Sequence, residues 1–157
     1  MKHLLIAGLF LATIGGRPAS ACYCDPAIFS PAEPAVRQAF KESEVVLRGT
    51  VQSVHIDDSP TAPGGAGVIA VFDIQESWKG PRAGKIEMGT VSNDCRFNFE
   101  VGEQYLVYGF PDGSGTFTTA CSRTQRVDKA QYDLAILRNE HVAKNESARP
   151  AARIAGF

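Results

Sequence analysis

Short runs of alternating apolar and polar residues fill the middle of the chain. Val68, Ala70, Phe72 and Ile74 fall on one face of such a run, and Ile69, Val71 and Asp73 on the other. That period of two predicts a strand over 68–75, closed by a turn at Trp78-Lys79-Gly80-Pro81. Residues 45–56 have the same character through Val45, Leu47, Thr50, Val51, Val54 and Ile56, and Gly49 inside the run predicts a bulge or sharp bend. Further strands are predicted over 85–92, 104–110 and 116–121. In the fourth, Tyr105, Val107 and Gly109 alternate with Leu106 and Tyr108. Asp112-Gly113-Ser114-Gly115 reads as a hairpin-type turn between the last two. Ser59 to Gly67, rich in Pro and Gly, reads as a loop.

Two segments change period. Residues 34–42 predict a short helix with Pro34 in its first turn. Val127, Ala130, Leu134, Leu137 and His141 recur at helical spacing and predict an amphipathic helix over 127–144. Residues 145–157, rich in Ala and Arg, read as a frayed, flexible tail. Five strands and flanking helices in a domain of this size predict a small β-barrel, although period alone does not separate a barrel from a sandwich. Trp78 is read as a packing residue at a barrel end.

The N-terminal pattern differs from everything after it. Lys2 and His3 precede eleven apolar residues, Leu4 to Ile14, and Gly15-Gly16-Arg17-Pro18 separate these from Ala19-Ser20-Ala21. This is the layout of an export signal, residues 1–21, with cleavage after Ala21. The apolar run is too short for a membrane span, which needs roughly 20 residues. Of 157 residues, removal of 1–21 leaves 136, a single domain. Lys2 and Arg17 leave with the leader, so 14 basic and 17 acidic residues remain. That balance offers no basic surface for nucleic acid. A secreted protein, extracellular or periplasmic and monomeric, is expected.

Four cysteines follow the leader: Cys22, Cys24, Cys95 and Cys121. An even count behind an export signal predicts two disulfides. A Cys22–Cys24 link would close a strained small ring and is the least favoured of the three possible pairings. The other two both tie the N-terminus to distant points. His55 and His141 stand far apart, as surface histidines rather than a metal pair. No Gly-x-Ser-x-Gly, paired-histidine motif or phosphate loop occurs, so catalysis is not expected.

Several of these features occur together in one family. The predicted mature start, Cys22-Tyr23-Cys24-Asp25-Pro26, resembles the Cys-x-Cys-x-Pro opening of the tissue inhibitors of metalloproteinases (TIMPs). Phe72-Asp73-Ile74 before Trp78-Lys79-Gly80 resembles their strand and Trp-Lys-Gly turn. Gly102-Glu103-Gln104-Tyr105-Leu106 resembles their Gly-x-x-Tyr-Leu strand, and Thr118-Thr119-Ala120-Cys121 their last barrel strand. The chain thus resembles the netrin-like domain of that family in a single-domain form, over residues 22–144. The resemblance implies a five-stranded barrel of the oligonucleotide/oligosaccharide-binding (OB) type, flanked by helices. It implies the pairings Cys22–Cys95 and Cys24–Cys121. The animal inhibitors carry a third disulfide in this domain, which four cysteines do not provide. Their second residue is usually small, where this chain has the bulky Tyr23.

The resemblance also implies a role. In the family the first residue chelates the catalytic zinc of a target protease through its amine and carbonyl, and the second enters the specificity pocket. Residues before the third cysteine flank them. Carried over, Cys22 is the chelator, Tyr23 the pocket residue, and Ser92, Asn93 and Asp94 the flanking contacts beside Cys24. The implied partner is a zinc metalloprotease. The chain has no cofactor of its own, and the zinc belongs to the target. An α-amine with a pKa of about 7.7–8.0 is partly neutral at physiological pH and can coordinate a metal. The alternative is a non-inhibitory exported module that binds a protein or glycan. Ala19-Ser20-Ala21-Cys22 also partly matches a lipoprotein box, in which Cys22 would be acylated; Ala19 stands where that box prefers Leu.

Overall fold

The computed structural model describes residues 22–59, 62 and 67–147, with side chains through His141. The predicted leader, residues 60–61 and 63–66 of the predicted loop, and the chain beyond residue 147 lie outside the described residues. Among the described residues eight elements follow a single 3₁₀ turn at Pro26–Phe29, and five of them close a barrel. They are α1 (Glu33–Glu42), β1 (Val45–Asp57), β2 (Gly67–Lys79), β3 (Lys85–Thr90), β4 (Gln104–Pro111) and β5 (Thr116–Thr118), then a two-residue β6 (Gln125–Arg126). The terminal helix α2 (Gln131–Ser147) ends the described chain. The sheet order is β1-β2-β3-β5-β4, and β4 pairs back onto β1. Among the described strands only β3 and β5 run parallel. This is a closed five-stranded barrel of the OB type.

The alternation read from the sequence sorts side chains between two cores. Val45, Leu47, Val51, Ala70, Phe72, Ile74, Met88, Tyr105 and Val107 fill the barrel. Val46, Leu106 and Tyr108 point outward from β1 and β4, and Val36 of α1 with Ala130, Leu134 and Leu137 covers them. β1 and β4 are therefore buried on both faces where the helices lie, which is why their sequences are nearly continuously apolar there. Trp78 and Phe40 pack against this outer core.

The pairing of β1 with β2 shifts register three times, first at Val46/Leu47. The second shift falls at Arg48/Gly49, where the sequence predicted a bulge or sharp bend. A Cβ on Gly49 would lie 3.0 Å from the Asp73 carbonyl oxygen and 3.1 Å from the Phe72 ring. The close approach of β2 thus favours glycine here, since a larger residue would have to displace the Phe72 ring or the β2 backbone. The third leaves Gln52 unpaired between Val51↔Phe72 and Ser53↔Val71. An extra residue reverses the side-chain phase. Val54, rather than Ser53 or His55, consequently packs on the barrel core.

Several boundaries differ from the pattern-based ones. β2 extends through Trp78 and Lys79, and the turn follows at Gly80, whose φ is +91°. β3 ends at Thr90, not Ser92, because the Thr90 hydroxyl accepts from Phe97 N (2.8 Å) and the chain turns at 93–96. β5 stops at Thr118 because residues 119–122 turn to reach Cys121's partner, with Ser122 N donating to Thr119 O (3.1 Å). α2 begins at Gln131 rather than 127, since Val127 N still donates to Gln104 O and extends the β4–β6 pairing. It continues through residues 145–147, which the sequence placed in the tail.

An ion pair fastens α2 to the barrel. Arg138 grips Glu76 of β2 with Nε and Nη2, at 3.0 and 2.8 Å. The hydrogen bonds from Arg138 outweigh partial burial and hold the Glu76 carboxyl below its ordinary value. Its folded pKa is therefore lower than its unfolded one. The resulting stabilisation is fully present above about pH 4.3 and fades as pH falls through the depressed folded value. Glu76→Gln is expected to flatten the acid limb of stability. Urea midpoints at pH 6 and pH 3 should differ less in the variant than in the parent.

Candidate functional site

Everything the sequence singled out as a site gathers at one end of the barrel. The chain enters there at Cys22 and is bonded at once to Cys95, with Cα atoms 5.0 Å apart. Two residues later Cys24 is bonded to Cys121 across a Cα distance of 5.2 Å. The two disulfides touch, with Cys22 Sγ and Cys121 Sγ 3.6 Å apart. The sulfurs of Cys22, Cys24 and Cys121 lie within 4.8 Å of one another, but all four cysteines are bonded in pairs and none offers a thiolate ligand.

Both partner segments are anchored by the core beneath them. Cys95 sits on the connection between β3 and β4. Phe97 and Phe99, on the same connection, stack edge-on with Phe72 and Tyr105 at ring separations of 5.0–5.7 Å. Such contacts add about 0.5–1.5 kcal/mol each beyond burial. The Asn93 side-chain oxygen accepts from Cys95 N (2.9 Å) and sets the local turn. Ala120 N donates to the Cys95 carbonyl (2.8 Å), joining the two cysteine-bearing loops directly.

The N-terminal segment therefore runs as a ridge over a rigid base. Tyr23, between the two bonded cysteines, is 86% exposed. Ser92, Asn93 and Asp94 are exposed immediately before Cys95, and its disulfide brings them beside Cys22. The Asp25 carboxylate accepts from Ala27 N (2.9 Å) and starts the 3₁₀ turn that ends the ridge. His55 is exposed. His141 is half-buried beside Phe40 and Trp78, far from the ridge in sequence and packed with α2.

A buried ionic cluster, not foreseen from the sequence, holds this ridge from below. Arg123 follows Cys121 by two residues and its side chain is 3% exposed. Its Nε and Nη2 donate to the Asp133 carboxylate of α2, at 2.6 and 2.7 Å. Nη2 also donates to the Ser30 carbonyl (3.0 Å), and Nη1 to that of Ile28. The guanidinium thus ties together the ridge's exit, the Cys121 loop and the terminal helix. The Tyr108 hydroxyl donates to the same carboxylate (3.0 Å). Burial, with the Asp133 charge beside it, pushes the Tyr108 phenol well above its ordinary value. Burial opposes the Arg123 charge, but the Asp133 hydrogen bonds and attraction more than offset it, so its pKa is raised. Arg123 adopts φ +64°, a left-handed conformation costing about 1–2 kcal/mol in a residue with a Cβ.

Beside it, Thr118, Ser122 and Thr124 share hydroxyl hydrogen bonds; the Thr118 hydroxyl donates to the Tyr108 carbonyl and that of Thr124 accepts from Tyr108 N. One signal for the cluster was present in the sequence. Asp133 falls on the same helical stripe as Ala130, Leu134 and Leu137, and an acid on an apolar stripe demands a buried partner. Nothing in Ser122-Arg123-Thr124 identified that partner.

No helix among the described residues is long and apolar enough to cross a membrane. No protein-family model matches the chain, and no curated protein matches it.

Proposed function

We propose that this protein is an exported inhibitor of zinc metalloproteases that acts through its N-terminal ridge. Removal of residues 1–21 frees the α-amine of Cys22. That amine and the Cys22 carbonyl oxygen form a five-membered chelate on the target's catalytic zinc, at the position a catalytic site keeps open for water. Tyr23 enters the pocket that receives substrate side chains next to the metal. Ser92, Asn93 and Asp94 border the same cleft.

The observation that supports this reading most is the pairing of a rigid base with a bare apex. Two disulfides in contact hold Cys22 and Cys24, while Tyr23 between them is 86% exposed. Tyr23 is the most exposed of the large apolar side chains among the described residues, so it is free to enter a partner's pocket without disturbing the fold. A preformed ridge also loses little conformational entropy on binding.

The experiment compares the chain beginning at Cys22 with one extended by a single N-terminal alanine, against a panel of zinc endopeptidases. The extension converts the amine to an amide and is expected to weaken inhibition by about 100-fold or more. Tyr23→Thr, with the amine intact, should re-rank the panel towards enzymes with narrow pockets. Equal inhibition by the extended chain would sink the chelation mechanism. A panel left wholly uninhibited by the Cys22 form would leave the ridge as the face of a non-inhibitory binding module.

A further inference from the structure

A recess lies behind the ridge, between the 3₁₀ turn, α1 and the end of β4. It has a volume of about 500 Å³. Pockets for small organic ligands run from roughly 300 to 1,000 Å³ and are mostly apolar with a few polar groups. The recess has this composition. Ile28, Ala35, Ala39 and Phe110 supply its apolar wall, and Gln38 and Glu42 its polar edge. The space follows from the sequence of α1. Residues 35, 38, 39 and 42 share one helical stripe, and two of the four are alanines. Val36, on another side of the helix, packs with the outer core instead.

The charges of this recess are unbalanced. Arg123 lies at its base, but Asp133 neutralises it with two hydrogen bonds. The Glu42 carboxylate accepts from the Gln38 amide, a neutral donor, and takes part in none of the ion pairs among the described residues. The recess therefore presents an apolar wall with one uncompensated negative charge at its edge. We propose that it binds a small amphiphile with an apolar body and one cationic end, an alkylammonium in its simplest form. The chain packs along Ala35, Ala39 and Phe110, and the ammonium meets Glu42. This site is independent of zinc chelation by the ridge.

The test titrates the oxidised protein with n-octylammonium and, separately, with n-octanoate, at low ionic strength. Amide chemical shifts report where each binds. Octylammonium is expected to bind saturably and to move the signals of Ala35, Ala39 and Phe110. Octanoate, of the same length and opposite charge, should bind about three- to tenfold more weakly. Raising the salt should shrink that ratio, because Glu42 is exposed. Glu42→Gln, at the exposed end of a helix, should bring the two ligands to near parity without moving the melting temperature. Ala35→Trp should block both. Equal binding of the two ions to the parent would overturn the proposal, as would shifts mapping elsewhere or no saturation by about 10 mM. Should Ala35→Trp fail to fold, the Glu42→Gln comparison still decides the matter.

Discussion

Asp133→Ala is expected to destabilise the protein by about 3–5 kcal/mol, the largest loss from any single side chain outside the cysteines. The magnitude comes from what the substitution leaves behind. Asp133 is 2% exposed and accepts from Arg123 Nε, Arg123 Nη2 and the Tyr108 hydroxyl. Without it a guanidinium stays buried with no counter-charge, and a buried phenol loses its acceptor. The two backbone carbonyls on Arg123, of Ile28 and Ser30, do not neutralise it. The left-handed backbone at Arg123 would then lose the contacts that offset its strain. Replacing both ends, Arg123→Met with Asp133→Leu, removes the uncompensated charge and should recover part of the loss, as apolar replacement of buried ion pairs often does. Guanidinium unfolding of the four proteins in the cycle gives the coupling directly. A cost below about 1 kcal/mol for Asp133→Ala would mean that water reaches Arg123 and that the cluster is not a strut. Hydrogen exchange supplies an independent reading. Amides at 27–30 should lose protection in Asp133→Ala before those of β1 and β4 do, because only the former hang on Arg123.

The difference between what could and could not be read from the chain has a physical origin. Strand β2 was legible because one face of it meets the barrel core and the side-chain period reports it directly, and β4, buried on both faces, because it is a short apolar run between turn residues. The Gln52 bulge was not legible, since no residue type announces it. Its consequence, Val54 turned inward, appears only once β1 is paired with β2. The short β6 and the late start of α2 share a cause. Val127 has helical spacing to Ala130 and Leu134, but its N–H belongs to Gln104, and a tertiary hydrogen bond overrode the local pattern. The cysteines were conspicuous because a covalent bond needs one rare residue type. Their pairing followed only from the resemblance to the TIMP domain, and the structure pairs them in that way. The Arg123 strut joins residues of ordinary type across separations of 10 to 95 positions, and no local pattern encodes such a link.

Removing both disulfides should cost more than the two single removals combined, by about 1 kcal/mol. The reason lies in how the two closed loops overlap. Cys22–Cys95 and Cys24–Cys121 span 73 and 97 positions. Each alone would withdraw about 4–5 kcal/mol of chain entropy from the unfolded state. With one bond in place, however, the ends of the other are already close in connectivity. The path from Cys24 to Cys121 through the remaining bond covers about 28 residues, two on the N-terminal side and 26 between Cys95 and Cys121. Closing that shorter loop is worth only about 3.5 kcal/mol. Cys22→Ser/Cys95→Ser and Cys24→Ser/Cys121→Ser should therefore each lose about 3.5 kcal/mol, while the fourfold variant loses about 8. A loss of that size consumes most of the 5–15 kcal/mol by which a domain is normally stable. The fourfold variant, or the parent under strong reductant, is accordingly expected to be largely unfolded at 37 °C, whereas either single-disulfide form stays folded. Denaturant midpoints and melting curves of the four species, at matched slopes, check the sign of the coupling. Additive or sub-additive losses would mean that the reduced chain keeps its N-terminus near residues 95–121 without covalent help, and the ridge would then owe its placement to the Arg123 strut rather than to the cysteines.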